Sequence, residues 1–260
     1  MEMNYASYLK LTQLLDLQKP VSDPEQHDEM LFIVIHQVYE LWFKQLLHEL
    51  DKVKADFSGN DLFGALATLK RVRMIVKTLV GQLDILETMT PISFSAFRDR
   101  LDTASGFQST QFREVEFTLG YKRPGVMHYL DPAWTGTPKA KQRLNAPSLI
   151  DHFYEFLEHR GVEIPDEVRE RHPQQAPQPN ATIQQGLLRV YREQPEVALL
   201  LEQMMDIDEG FQEWRYRHVK IVERTIGSKR GTGGSPGVEF LKQSLFRPVF
   251  VDLWAIRHEM

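Results

Sequence analysis

Apolar residues along this chain recur at spacings of three and four. No stretch sustains strict alternation, so the pattern predicts helices and requires no strand. Asp23-Pro24 reads as a cap followed by proline at the first helical position, and nothing breaks a helix from there to about Phe57. Phe32, His36, Tyr39 and Phe43 share one face of that helix. The run at residues 31–35 is apolar on every side, which predicts a helix buried in the centre of the domain. Asn60 is placed to cap a second helix, whose stripe is Leu62, Leu66, Leu69, Val76, Leu79, Leu83 and Leu86. Thr90-Pro91 opens a short helix to about Leu101, with Phe94, Phe97, Arg98 and Leu101 on one face. Residues 103–106 form a turn signal, and a helix is predicted from Ser109 to Leu119.

Residues 121–138 read as loop, and Pro147 starts a helix to His159. Residues 165–180 hold four prolines and read as a polar excursion around one helical turn. A long helix follows Pro195 and stops at Gly227. Its seam is Val197, Leu200, Met204, Ile207, Phe211, Trp214, His218, Ile221 and Thr225. A last helix runs from Val238 towards Ile256, with Pro248 as a break. The expected fold is all-α: a bundle of long helices with shorter helices packed around it, forming a single domain over residues 1–260.

Composition narrows the chemistry. With no cysteine in 260 residues, disulfides, zinc ribbons, iron–sulfur clusters, thiolate-ligated haem and thiol catalysis are all excluded. Any metal must be held by His, Asp or Glu. The net charge of −5 gives no reason to expect nucleic acid or an acidic membrane as partner. The N-terminus lacks a basic region followed by an apolar run, and the longest apolar run, residues 30–35, is too short to span a bilayer. A cytoplasmic protein is expected.

Of nine histidines, His36 and His218 lie on core-facing stripes. An imidazole on an apolar seam must satisfy two ring nitrogens away from water. A backbone carbonyl or a carboxylate such as Glu40 or Glu213 can do so, and so can a metal; the residues alone favour the former. No histidine has Glu three residues before it, and His48-Glu49 is not continued as His-Glu-x-x-His, so two-metal and zincin chemistry is disfavoured. A single core histidine on a long helix is what haem ligation requires. Arg98 shares a face with Phe94 and Phe97. It suits a buried carboxylate, or else pairs with Asp102 four residues on. The glycine-rich stretch 231–237 matches no phosphate-loop motif, because Pro236 stands where a third glycine belongs and a helix precedes it. It reads as a loop that closes over a pocket, or as a plain linker.

Taken in order, several segments resemble the tryptophan 2,3-dioxygenase family. They are Tyr5-Ala-Ser-Tyr-Leu9, His27-Asp-Glu-Met-Leu-Phe32 continuing to His36-Gln-Val-Tyr-Glu-Leu-Trp-Phe-Lys44, and Phe97-Arg98. Ala104-Ser-Gly-Phe-Gln-Ser109 to Gln111-Phe-Arg113, Trp214-Arg-Tyr-Arg-His218 and Lys229-Arg-Gly-Thr-Gly-Gly-Ser-Pro-Gly237 complete the set. The resemblance runs from Tyr5 to about Arg257. It implies a homotetrameric enzyme with haem b in the bundle interior. Such an enzyme inserts O2 across the indole C2–C3 bond of L-tryptophan to give N-formylkynurenine, the first step of the kynurenine pathway.

By the same resemblance, His218 is the proximal haem ligand and His36 the distal histidine facing the indole N–H. Arg98 clamps the substrate carboxylate, and Thr232 meets the substrate's ammonium and carboxylate end as the loop closes. Phe32 and Phe94 wall the indole, and Ser105 and Gly106 lie beside the distal haem face. Arg113 pairs with a haem propionate and Trp214 packs on the proximal side. Tyr5, Tyr8 and Leu9, on an N-terminal arm of about residues 1–22, cross into a neighbouring subunit's pocket. The family often has tyrosine where this chain has Phe94. Two other readings stay open at this point: a haem oxygenase acting on a modified indole, and a non-enzymatic scaffold or haem sensor on the same fold.

Overall fold

The computed structural model describes residues 3–229, 231–232 and 237–260. Among these residues there are thirteen α-helices and no strand. Two single turns, Tyr5–Tyr8 (α1) and Leu11–Leu14 (α2), precede the long helices His27–Ser58 (α3) and Leu62–Leu86 (α4). Then come Pro91–Arg98 (α5), Thr110–Leu119 (α6), Thr137–Asn145 (α7), Leu149–Glu158 (α8) and Asp166–Arg169 (α9). Ala181–Glu193 (α10), Pro195–Ile226 (α11), Val238–Lys242 (α12) and Val251–Ala255 (α13) complete the chain. No helix among the described residues is long and apolar enough to cross a membrane.

The three long helices form the frame, with α4 packed against both α3 and α11. Gly210 lets α11 approach α4 closely, because a Cβ there would lie 2.8 Å from Val76 Cγ1. A mid-helix glycine costs about 1 kcal/mol relative to alanine, so close packing is its reason here. One hydrophobic core runs through α3, α4, α8, α10, α11 and α13 and includes Leu46, Leu69, Phe156, Leu187 and Met204. A smaller cluster joins Phe117, Val126, Leu130, Ala140 and Leu144. At the far end, the buried Asp208 on α11 accepts hydrogen bonds from the Val249 and Phe250 amides, both 2.9 Å, and from Trp254 Nε1 at 3.0 Å. The C-terminal segment is thereby tied to the helix that carries His218.

Several predicted boundaries shift for local reasons. Helix α3 begins at His27; Pro24 lies in the approach turn, where the buried Glu29 carboxylate holds the Val21 and Ser22 amides. The cap of α4 is Asp61, accepting from Gly64 N at 2.8 Å, while Asn60 takes φ +54°. Helix α5 ends at Arg98. The expected burial of residues 31–35 on all sides is corrected: Val34 is 38% exposed, as is neighbouring Met30, and Leu41 further along the helix is 52% exposed.

Besides the single turns α1 and α2, two longer helices go beyond the pattern reading. Helix α7 rests its two apolar residues, Ala140 and Leu144, on the smaller cluster and is otherwise too polar to show a period. Helix α10 buries Ile183, Leu187, Leu188 and Val190 and is capped by Asn180. The predicted last helix is two short pieces separated around Pro248.

Candidate active site

A cavity of about 270 Å³ opens between α3, α5, α6, α11 and the segments around Ser105 and Thr232. Phe32 and His36 enter it from α3, one turn apart. His36 Nδ1 lies 2.7 Å from the carbonyl oxygen of Phe32. A carbonyl only accepts, so Nδ1 carries the proton and Nε2 is left as the acceptor in the neutral ring. Burial lowers the His36 pKa, partly opposed by that carbonyl and by Glu40, so the ring is neutral at physiological pH. The Phe32 ring stands 4.1 Å from that of His36 and 5.8 Å from Phe94, which in turn meets Phe97 edge-on at 5.4 Å. Arg98 lines the same cavity from the last turn of α5, alongside Leu83, Leu86 and Met89.

His218 faces the cavity from the α11 seam. Its ring is stacked on Trp214, with centroids 5.1 Å apart and planes 8° apart. Among the described residues neither ring nitrogen makes a hydrogen bond. Burial is the main reason its pKa falls, to about 4, so this imidazole is a neutral base available to a ligand. Carbonyls or carboxylates that could have satisfied it, Glu213 among them, do not engage it. No cluster of three or more His, Cys, Asp or Glu suited to a metal ion occurs among the described residues.

The aromatic wall continues through Phe112 and Phe107, and Arg113 lies against both rings, 4.7 Å from Phe107 and 5.0 Å from Phe112. Arg113 is buried and paired with the buried Glu116. Ser105 caps the 3₁₀ turn Gly106–Gln108 through its hydroxyl. A Cβ built on Gly106 would meet nothing within 4 Å although the residue lines the cavity, so this glycine borders open space. Thr232 also lines the cavity, and its hydroxyl donates to the Ala104 carbonyl. Of the glycine-rich stretch expected to close the pocket, residues 230 and 233–236 lie outside the described residues.

Tyr5, Tyr8 and Leu9 do not line this cavity. They are 75%, 69% and 41% exposed, beside further exposed apolar groups at Met3, Leu15, Leu17 and Val21. The arm is anchored where Gln37 of α3 donates to the Leu17 carbonyl at 3.1 Å.

The sequence model of the family described as tryptophan 2,3-dioxygenase matches residues 1–147 and 171–260. The chain belongs to the tryptophan 2,3-dioxygenase family. Its relatives of that name include one from Herpetosiphon aurantiacus, 52% identical over 99% of this chain and 98% of its own length. Another, from Anaeromyxobacter dehalogenans, is 51% identical over 98% and 95%. A tryptophan 2,3-dioxygenase of Caulobacter vibrioides is 40% identical over 100% and 99%. The unmatched segment 148–170 contains α8, which packs Phe153 and Phe156 on Phe57 and contributes nothing to the cavity.

The resemblance and the fold together bring His36, His218, Phe32, Phe94, Arg98, Ser105, Gly106, Arg113, Trp214 and Thr232 to one cavity. Sequence reasoning missed Glu116, Arg123 and Arg215, which line it as well. The i, i+3 spacing of Arg113 and Glu116 on α6 was a usable signal for the first of these.

Proposed function

We propose that this family member is a haem b-dependent dioxygenase that converts L-tryptophan and O2 to N-formylkynurenine, opening tryptophan degradation by the kynurenine pathway. The observation that carries this reading is the pair of neutral imidazoles. One sits on each of two long helices, both line one aromatic cavity, and His218 lacks any hydrogen-bond partner among the described residues.

The residues fit haem b on three counts. His218 offers a free nitrogen from a rigid helix. The walls beside it are apolar, and Gly106 borders space that protein packing leaves unfilled. Arginines, Arg113 among them, line the same cavity and suit carboxylate groups. His218 would hold the iron, Arg113 would meet a propionate, and Trp214 would keep the His218 ring in place. When bound in its ferrous form, the haem supplies the binding and activation of O2.

The chain's own groups do the rest. Phe32 and Phe94 hold the flat indole between ring faces. His36 keeps its proton on Nδ1 and accepts the indole N–H at Nε2, which orients the ring. Arg98 pairs with the substrate carboxylate through its planar fork. Thr232 spends its hydroxyl proton on Ala104, so its oxygen is free to accept from the substrate ammonium. Thr232, which lines the cavity, helps to exclude water from the site.

The exposed apolar side chains of the arm support its crossing to a neighbour, where Tyr5, Tyr8 and Leu9 complete that subunit's pocket in a homotetramer. A cytoplasmic location suits these soluble substrates. The test is to incubate the ferrous, haem-loaded protein with L-tryptophan and O2. The expected product is N-formylkynurenine, with both added oxygen atoms from O2. A product with one added oxygen, or no product, refutes the dioxygenase reading.

A further inference from the structure

Glu116 lies at the centre of a buried arginine cluster that the proposed chemistry does not yet use. Its carboxylate accepts from Arg113 Nη1 and from Arg123 Nη2, the latter at 2.6 and 2.8 Å. Arg215 of α11 completes the group. It donates to the Arg247 carbonyl at 2.9 Å and lies 4.6 Å above the Tyr121 ring, over which Arg123 also lies at 4.7 Å. Glu116 is 3% exposed, Arg113 4% and Arg215 5%, while the Arg123 side chain, at the edge of the cluster, is 20% exposed. All four charged side chains line the cavity. The Nε atoms of Arg113 and Arg123 are buried without a partner.

Three guanidiniums against one carboxylate leave an excess of two positive charges. Elsewhere the charged side chains in the described lining are one carboxylate, Glu40, and one guanidinium, Arg98. Burying an uncompensated charge is costly, so a buried cluster with such an excess is built for an anionic occupant. Protohaem carries two carboxylates on one edge, which matches the excess.

We propose that Glu116 is a positioning residue: it bridges Arg113 and Arg123 so that, with Arg215, they receive the two carboxylates of the porphyrin. The proposal rests on the reading of this cavity as a haem site. Glu116 touches neither substrate nor iron and acts only through the arginines it holds. Without it, two guanidiniums lose their shared anchor and repel each other, and the charge-assisted bonds to the carboxylates lose their geometry.

The test compares two loads in the full-length protein: haem, and haem dimethyl ester, whose acid groups are blocked. The readout is the rate of loss to excess apomyoglobin, followed by absorbance. In the wild type, the diester should leave at least tenfold faster than haem. Glu116→Gln should speed haem loss about tenfold, equivalent to one or two charge-assisted hydrogen bonds, and leave diester loss unchanged. If Glu116→Gln does not fold, Arg123→Met, at the more accessible edge of the cluster, should give the same selective effect. A purely structural role would speed both losses equally, and that result overturns the proposal. Equal retention of haem and diester by the wild type also overturns it while leaving the haem reading intact. A wild type that retains neither overturns the haem reading and this proposal together.

Discussion

His36 donates its Nδ1–H to the carbonyl oxygen of Phe32, 2.7 Å away on the preceding turn of the same helix. The backbone of α3 therefore sets the tautomer, and Nε2 is committed as an acceptor before substrate arrives. His36→Ala leaves the indole N–H buried without a partner, a loss of about 1–3 kcal/mol. Steady-state kinetics should show kcat/KM for tryptophan falling roughly tenfold to a hundredfold, with the Soret spectrum of the resting enzyme retained. Unchanged kcat/KM would refute the acceptor role.

The same bond predicts a pH dependence. Burial lowers the His36 pKa below its ordinary value of 6.5. The acceptor lone pair is thus present at neutral pH and is lost only when the medium drops below the usual histidine range. Plotted against pH, kcat/KM should be flat from neutrality down past 6.5 and then fall, since this parameter reports the free enzyme. The acid limb should vanish in His36→Ala. A limb that persists there belongs to another group.

Arg98 lines the same cavity as His36 and is the proposed partner of the substrate carboxylate. Arg98→Leu strips the buried carboxylate of its bidentate partner and should raise KM for tryptophan about a hundredfold, on the scale of a lost charge-assisted pair. Tryptamine, which lacks the carboxylate, should be handled alike by both proteins. If Arg98→Leu leaves the tryptophan KM unchanged, the carboxylate is held elsewhere.

Asp208 tests the scaffold rather than the chemistry. Its carboxylate takes two backbone amides and the Trp254 indole N–H, all of which would be stranded in Asp208→Ala. A loss of about 3 kcal/mol corresponds to a fall in Tm of roughly 6–12 °C for a chain of this size. Calorimetry showing no change would mean that the C-terminal segment is not tied to α11 through this residue.

Much of this was legible in the sequence. The spacing of Val197 to Thr225 marks one long seam and singles out His218, because helical periodicity survives over many turns. Phe94, Phe97 and Arg98 share a face for the same reason. Ser105, Gly106 and Thr232 come from irregular segments, where no period reports orientation; the glycine-rich loop offered Thr232 as a hydroxyl, and only family resemblance pointed to Ser105 and Gly106. Arg123 and Arg215 reach Glu116 from a loop and from a distant helix, a tertiary relationship that local spacing does not encode. The burial expected around residues 31–35 failed because Met30 and Val34 face outwards from this chain.

The central claim is that His218 holds the haem, and the absorption spectrum of His218→Ala tests it most directly. The variant should keep its helical circular dichroism, since the ring makes no hydrogen bond among the described residues, and should lack the Soret band expected of the haem-loaded wild type. A His218→Ala protein with a Soret band of wild-type position and intensity would contradict the account.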